Sequence, residues 1–177
     1  LGVLYLDGRG VERNAEQARS WFLRAAQKNH PEAQYNLGHM SLSGMAVEKD
    51  MDAALEWWRR SAEGGYAQAQ FNYGRALYLG IRGEPDMVAG LVLIRRAATN
   101  GDARAQQFLD ENKAEVAAVD DRPPVLDSVS PLAISGADPT DNTVSTEKRH
   151  TDDRVISQIK ETTLAETETP VSRRAPQ

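Results

Sequence analysis

Small and apolar residues recur at helical spacing in the first part of the chain. They lie at Ala18, Trp21, Phe22, Ala25 and Ala26. This is the i, i+3, i+4, i+7, i+8 spacing of an amphipathic helix. Two further copies follow, each 36 residues after the one before: Ala54, Trp57, Trp58, Ser61, Ala62 and then Gly90, Leu93, Ile94, Ala97, Ala98. The pattern therefore predicts one helix, called helix B, that occurs three times.

Both ends of helix B carry end signals in every copy. The residues before the three copies are Asn14, Asp50 and Asp86. Their side-chain oxygens can accept hydrogen bonds from the backbone N–H groups of a first helical turn. The residues after the copies are Asn29, Gly65 and Gly101, which are types that tolerate the left-handed conformation at a helix end.

A second helix, called helix A, precedes the second and third copies of helix B. We place it at Pro31–Ser43 and Ala67–Leu79, with a glycine after each copy. Gly38 and Gly74 lie inside helix A, where glycine costs about 1 kcal/mol relative to alanine. Their recurrence indicates that helix B passes too close at this point to leave room for a side chain.

The alternation of two helices with a period of 36 residues is typical of stacked helix-turn-helix repeats. The stretch "LGVLYLDGRGVERNAEQARSWFLRAAQKNHPEAQYNLG" contains a Leu-Gly pair, a Gly-x-Gly-Val loop, an Ala-x-x-Trp motif and an Ala-Ala pair. Together these motifs resemble the Sel-one-like repeat, a helix-turn-helix relative of the tetratricopeptide repeat. The resemblance covers about residues 1–112. It implies an all-α fold, a right-handed α-solenoid.

We expect the solenoid to cover residues 1–118. Its predicted parts are a partial first repeat at 1–30, full repeats at 31–66 and 67–102, and a capping helix at 103–118. A solenoid needs such a cap because its last apolar face would otherwise meet water.

The loop between helix A and helix B departs from the family pattern in the later repeats. Ala46 and Arg82 replace the second glycine of the loop, and Gly83 replaces its valine. Two of these changes fall in one loop. We therefore expect the third loop to follow a different path.

Residues 119–177 are expected to form a disordered tail. The last aromatic residue of the chain is Phe108, and the tail shows no sustained hydrophobic period. Such a segment cannot bury enough apolar surface to offset its ordering entropy. Within it, "RPPVLDSVSPL" favours a linker over a proline-rich ligand. Arg154–Glu166 favours disorder over a short helix that forms on a partner.

Composition narrows the classes of partner. A net charge of −5 and a pI near 5.3 disfavour nucleic acid, which is bound mainly through cationic contacts to phosphate. The absence of cysteine excludes disulfide scaffolds and thiol chemistry. The longest aliphatic stretch, near Ala89–Ile94, is far shorter than the roughly 20 apolar residues of a transmembrane helix. The chain also opens on Leu1 within a repeat, so we expect its N-terminus to be truncated.

No motif for catalysis is visible in the sequence. His30, His39 and His150 lack the spacing that gathers histidines on one face of a helix, so no metal site is predicted. We expect His39 to be solvated on the polar side of helix A. Neither a nucleophile elbow nor a phosphate-binding glycine loop is present, and the carboxylates are scattered. The prediction is a protein that is not an enzyme and binds no cofactor.

Trp57 and Trp58 could form either an exposed aromatic platform or part of the core. Both align with large apolar residues in the other two copies of helix B. The repeat pattern therefore favours the core.

The outward residues of helix A are the candidate binding site, because the first helices of a helical solenoid line its concave surface. The candidates for peptide binding are Tyr35, Asn36, His39, Phe71, Asn72 and Arg75. Asn36 and Asn72 share one repeat position, and an amide can donate to and accept from an extended peptide backbone. The resemblance to tetratricopeptide proteins implies that role. If they bind a peptide, we expect both positions to face away from the packed side of helix A. The alternative is that asparagine is simply the usual residue of the repeat here and makes hydrogen bonds between repeats.

The leading functional hypothesis is a non-catalytic scaffold or adaptor that binds a protein or peptide partner on the helix-A surface, as the resemblance implies. The alternative is the docking arm of a larger enzyme whose catalytic domain preceded Leu1. The resemblance slightly favours a periplasmic or otherwise membrane-associated complex, and a cytoplasmic location stays open.

Overall fold

The computed structural model describes residues 1–120, and their regular structure is entirely helical. The helices are α1 (Gly2–Asp7), α2 (Ala15–Ala26), α3 (Pro31–Ser43), α4 (Met51–Glu63), α5 (Ala67–Leu79), α6 (Met87–Thr99), α7 (Ala103–Glu111) and α8 (Lys113–Asp120). Helices α1, α3, α5 and α7 are of type A, and α2, α4 and α6 are of type B. The predicted bounds of α3 and α5 are confirmed. The predictions for the tail beyond residue 120 lie outside the described residues.

The predicted end signals of helix B are present in all three copies. The caps are Asn14 accepting from the N–H of Gln17, Asp50 from that of Ala53 and Asp86 from that of Ala89, at 2.9, 3.0 and 2.9 Å. After the helices, Asn29, Gly65 and Gly101 adopt φ angles of 55°, 86° and 90°. Each copy is thus closed at both ends by the residues that the sequence marks.

The third loop has the same end points as the other two loops but contains an extra turn that they lack, in which the Gly83 N–H donates to the Gly80 carbonyl at 3.2 Å. All three loops close with a backbone bond of 2.9 Å that spans nine residues: Asn14 to Tyr5, Asp50 to Ser41 and Asp86 to Leu77. Arg82 has a φ of 71°, close to the 75° of Gly10 in the first loop. The side chain of Arg82 also forms a bidentate ion pair with Asp52, with N···O distances of 2.7 and 2.5 Å. This ion pair offsets the strain of a left-handed conformation that usually favours glycine.

The close approach predicted at the glycines of helix A is confirmed. A Cβ added at Gly38 would collide with the Trp58 ring of α4. One added at Gly74 would lie 2.9 Å from the carbonyl oxygen of Gly90 in α6. Helix A and helix B therefore cross at this point in both full repeats.

Both tryptophans of α4 belong to the core, as predicted. Trp57 is 3% exposed and Trp58 is fully buried. The side chains of Arg60 and Arg24 lie over the rings of Trp57 and Trp21, at 5.3 and 4.7 Å from the ring centroids. The indole rings therefore fill the space between helices and leave no exposed platform on α4.

The C-terminal part of the solenoid differs from the single capping helix expected at 103–118. Asp102 caps α7 through the N–H groups of Arg104 and Ala105. A turn at Asn112, whose amide donates to the Phe108 carbonyl at 2.8 Å, then separates α7 from α8. Helix α8 packs back on α6, and its Glu115 is hydrogen-bonded to the Tyr78 hydroxyl of α5.

Most close packing joins helices that are consecutive in the chain, and α8 on α6 is the addition at the C-terminal end. Among the described residues, one core cluster lies around Trp57, Leu37 and Phe22 and another around Ile94 and Phe71. The described residues therefore form an α-solenoid, as predicted. No helix within residues 1–120 is long and apolar enough to cross a membrane.

Candidate functional site

The candidate site, called the helix-A face, consists of the six predicted residues Tyr35, Asn36, His39, Phe71, Asn72 and Arg75. The first three lie on α3 and the others one repeat later on α5. Tyr35 and His39 are one turn apart, and their rings meet edge to face at 4.4 Å between centroids. The Tyr66 ring lies 5.1 Å from that of Tyr35. The structure therefore gathers an aromatic cluster at one side of the face.

His39 is not the solvated residue that the sequence predicts. Its ring is half-buried and lies 5.2 Å from the Trp58 ring of α4. Burial, and then the positive charge of Arg104, lower the pKa of His39 from 6.5 to about 4. The imidazole is therefore neutral at pH 7, and its Nε2 atom is buried without a hydrogen-bond partner among the described residues.

Asn36 and Asn72 occupy one repeat position but differ in environment. The Asn36 amide donates to the carbonyl of Glu32, one turn earlier in α3, at 2.8 Å. Asn72 is only 8% exposed, so the expectation that both positions face away from packed surfaces is wrong for this residue. Its Nδ2 atom has no hydrogen-bond partner among residues 1–120. A buried donor without an acceptor costs about 1–3 kcal/mol.

Phe71 lies beneath the face and does not form its surface. It is 3% exposed and belongs to the core cluster with Ile94. The guanidinium of Arg104, on α7, lies over the Phe71 ring at 5.0 Å from its centroid. Arg104 was not among the site residues predicted from the sequence. It occupies the same repeat position as Glu32 on α3 and Gln68 on α5. That alignment was the available signal.

Two half-buried arginines, Arg75 on α5 and Arg104 on α7, belong to this part of the molecule. Arg75 is half-buried, and its pKa is lowered by burial first and by the charge of Arg104 second. The same charge acts on His39, although His39 belongs to α3 and Arg104 to α7. Asp102 positions Arg104 through contacts of 2.6 and 3.1 Å. The Arg104 side chain therefore reaches α5 from α7, over the ring of Phe71.

The hydrogen bonds from helices α3 and α5 to the preceding B helices are donated by Gln34 and Gln70 and not by Asn36 or Asn72. Gln70 donates to the carbonyl of Ala62, at the end of α4, at 3.3 Å, and accepts from Asn100 at 2.9 Å. Gln34 makes the equivalent contact with Ala26 at 3.5 Å. The sequence signal for this role is the Ala-Gln pair at equivalent positions in successive repeats.

The face carries no arrangement typical of catalysis. Burial keeps the His39 imidazole neutral, whereas the guanidinium of Arg75 and that of the neighbouring Arg104 stay charged. Within residues 1–120, no group of histidine and carboxylate side chains could hold a metal ion. The chemistry available on the face is hydrogen-bond donation, positive charge and aromatic contact.

The fold defines a class, an α-solenoid of helix-turn-helix repeats. The sequence model of the Sel1 repeat family matches residues 1–30, 31–66 and 67–102. The chain therefore belongs to the Sel1 repeat family. Sel1 repeats are commonly protein-interaction modules.

Two solved structures are similar to the chain. A Sel1 repeat protein from Oxalobacter formigenes is 40% identical over 59% of this chain and 43% of its own, with a TM-score of 0.56. The protein c5321, a protective antigen present in uropathogenic Escherichia coli strains that displays an SLR fold, is 30% identical over 63% of this chain and 24% of its own, with a TM-score of 0.58. The chain thus spans less than half the length of either. No curated protein sequence matches it.

Proposed function

We propose that the chain is a non-catalytic interaction module that binds a peptide or protein segment along the helix-A face. The observation that carries the proposal is the Asn72 amide, a buried hydrogen-bond donor with no acceptor among the described residues. A ligand backbone carbonyl would supply that acceptor once a shift of the neighbouring side chains opens the buried Nδ2 atom to the surface. The free energy lost by leaving the donor unpaired would then be recovered on binding.

The alternative role for the asparagines, hydrogen bonding between repeats, has less support. Asn36 bonds within its own helix, and Gln34 and Gln70 make the contacts to the preceding B helices. The stacking of repeats therefore does not depend on side-chain hydrogen bonds from Asn36 or Asn72. Tyr35 and Tyr66 add half-buried aromatic surface next to them, which suits the side chains of an extended ligand.

Peptide display tests the proposal directly. A library of random 12-residue peptides is selected against the full chain, and recovered peptides are measured by fluorescence polarisation. Asn36→Ala and Asn72→Ala should each weaken binding by about 2- to 10-fold, the equivalent of one lost hydrogen bond. Gln27→Ala, at an exposed position after α2, is the matched control and should leave affinity unchanged.

Thermal melting of each variant separates binding from folding. We expect the melting temperature of Asn72→Ala to equal or exceed that of the wild type, because the change removes an unpaired buried amide. If no peptide is recovered, or if both asparagine variants bind every recovered peptide as tightly as the wild type does, the proposed function is wrong.

A further inference from the structure

A groove lies between helix α8 and the loop that joins α5 to α6. It has a volume of about 670 Å³. Its apolar lining consists of Pro85, Met87 and Val88 at the start of α6, together with Ala118 of α8. Met87 is 37% exposed. Among the described residues, the packing of α8 on α6 therefore leaves apolar surface uncovered in the groove.

The groove is apolar at positions that are polar in the first two repeats. Two replacements make it so: Arg13 and Lys49 correspond to Pro85, and Glu16 and Asp52 correspond to Val88. Met87 corresponds to Met51 of the second repeat, which is only 5% exposed. The packing of α8 explains why this region is apolar, but it does not explain a methionine that stays exposed. The exposed methionine therefore indicates a surface that a ligand covers.

The rim of the groove is acidic. Glu84 is exposed on the loop, Asp86 caps α6, and the exposed Glu115 of α8 accepts a hydrogen bond from the Tyr78 hydroxyl. That bond holds Glu115 at the groove and leaves its carboxylate with further acceptor sites. The described residues that line the groove include no cationic side chain. Since Pro85 replaces a cationic residue, Glu84 also lacks the positive neighbour in sequence that its counterparts in the first two loops have.

We propose that this groove binds a basic peptide segment of a partner protein. One apolar side chain of the peptide packs against Met87, and lysine or arginine side chains beside it pair with Glu84 and Glu115. Lysine and arginine fit both parts of the groove, because their aliphatic stems can lie on apolar surface while their charged ends reach the carboxylates. Burial of the apolar side chain supplies affinity, and the carboxylates select the charge of the ligand.

The groove shares no residue with the helix-A face. It is formed by a loop between helices, the start of a B helix and α8, whereas the helix-A face lies on α3 and α5. The inference therefore goes beyond the proposed function and does not depend on it.

Two peptide selections against the full chain test the inference. One library of random 12-residue peptides contains all 20 amino acids, and the other lacks lysine and arginine. Recovered peptides are synthesised with acetylated and amidated ends, so that side chains supply the only positive charges. Peptides that bind the groove should come from the first library, and replacing their lysines and arginines with glutamine should weaken binding by about tenfold or more.

Methionine methyl groups report where each peptide binds. In the full chain labelled with ¹³C at these methyl groups, a groove ligand should shift the NMR signal of Met87, which Met87→Leu assigns. The buried Met51, at the same repeat position in the second repeat, is the matched control and should not respond. Peptides that bind elsewhere leave the Met87 signal in place and are set aside.

Variants of the protein test each part of the groove. Glu84→Gln and Glu115→Gln should each weaken binding by about two- to fivefold, the range for an exposed ion pair. Pro85→Lys restores the charge of the second loop and should weaken binding by about tenfold, because it repels a basic ligand. Glu12→Gln, an equal charge change at the position of Glu84 in the first loop, should leave affinity unchanged.

Three results would overturn the inference. The first is that no recovered peptide shifts the Met87 signal. The second is that peptides without lysine or arginine shift it with equal affinity, or that Glu84→Gln, Glu115→Gln and Pro85→Lys all bind as tightly as the wild type with unchanged melting temperatures. The third is a Met87 signal that moves with protein concentration alone, which would identify a second copy of the chain as the occupant. None of these results affects the test of the helix-A face, which depends on the asparagine variants.

Discussion

The second and third repeats cross their helices at the same repeat position but fill the crossing in different ways. In the second repeat, Gly38 lies against the ring of Trp58, which is fully buried. In the third repeat, Ile94 takes the place of the tryptophan, and Gly90 stands where the second repeat has Ala54. A Cβ added at Gly90 would lie 2.6 Å from the carbonyl oxygen of Gly74.

This difference shows what the repeat does and does not determine. Both repeats keep the same helix bounds, the same caps and a glycine at the crossing. The volume between the helices is filled by a side chain in the second repeat and by direct backbone contact in the third. The 36-residue period therefore specifies where the helices cross, and the residues at the crossing specify how closely they approach.

The largest expected effect is at Trp58. Trp58→Ala should lower the free energy of unfolding by about 3–5 kcal/mol, because it leaves a cavity in a fully buried site. When Trp58 is already alanine, the further change Gly38→Ala should lower the free energy of unfolding only slightly, since the ring that excludes a Cβ is gone. Urea denaturation of the single and double variants measures the coupling.

The third repeat supplies the matched control. Gly74→Ala should stay destabilising in an Ile94→Ala background, because the added Cβ would still lie 2.9 Å from the backbone oxygen of Gly90. Equal rescue in the two repeats would contradict the distinction between side-chain and backbone contact.

The second effect in size concerns Gly90. We expect Gly90→Ala to cost roughly 2–3 kcal/mol, in the upper part of the range for overpacking, because the obstacle is backbone and α5 must move away from α6. The reverse change in the second repeat, Ala54→Gly, should cost less, about 1 kcal/mol for helix propensity plus the lost methyl contact. Both stability costs are measured from the denaturant midpoints, provided that each variant has the same m-value as the wild type. Stabilisation by Gly90→Ala would show that the helices have room to separate.

The third prediction uses the titration of His39, which shares a repeat position with Arg75. Its pKa is about 4 in the folded protein and near 6.5 when unfolded, so the unfolded state binds the extra proton first as the pH falls. Stability should therefore decline from about pH 6.5 toward pH 4. The contribution of this group is about 2 kcal/mol between pH 7 and pH 5.

His39→Gln should remove that part of the pH dependence, whereas His30→Gln, at an exposed position, should not. The difference in the free energy of unfolding between each variant and the wild type, measured at pH 7, 6 and 5, isolates the effect. An identical decline in His39→Gln would show that another group is responsible.

The smallest effect distinguishes the second and third loops. Ala46 and Arg82 both have positive φ, at 56° and 71°. Ala46→Gly should stabilise the protein by about 0.5–1 kcal/mol, because glycine adopts this conformation without strain. Arg82→Gly should be close to neutral, since it relieves the strain but removes the ion pair to Asp52. The melting temperature should rise for Ala46→Gly only. A comparable rise for both variants would mean that the ion pair contributes nothing to stability.

Much of the fold was predictable from sequence because its signals are local. The bounds of α3 and α5, the caps of helix B and the close approach at Gly38 and Gly74 all follow from spacing and residue type. The sequence indicated that the third loop departs from the other two, but it does not show that Arg82 holds a left-handed conformation with Asp52, a residue 30 positions away, as its partner.

The candidate site was less predictable because burial there depends on neighbouring helices. Helical periodicity places His39 and Asn72 on the polar stripe of helix A, but stacking buries both to differing degrees. Arg104 reaches the face from a later A helix, and its position depends on packing over Phe71. Periodicity within one helix contains no information about such contacts. The role of the face in binding stays a prediction.

The pattern of helix packing has a consequence for the speed and order of folding. Nearly every close contact joins helices that are neighbours in the chain, so forming one requires little loop closure. A chain of this kind should fold rapidly, starting at whichever helix pair associates first and growing outward from it. The α5 and α6 pair, with its backbone contact at Gly74 and Gly90, is a natural nucleus. Unfolding should then begin at α1 and α8, which each pack against few other helices, and α5 and α6 should exchange their amide hydrogens last.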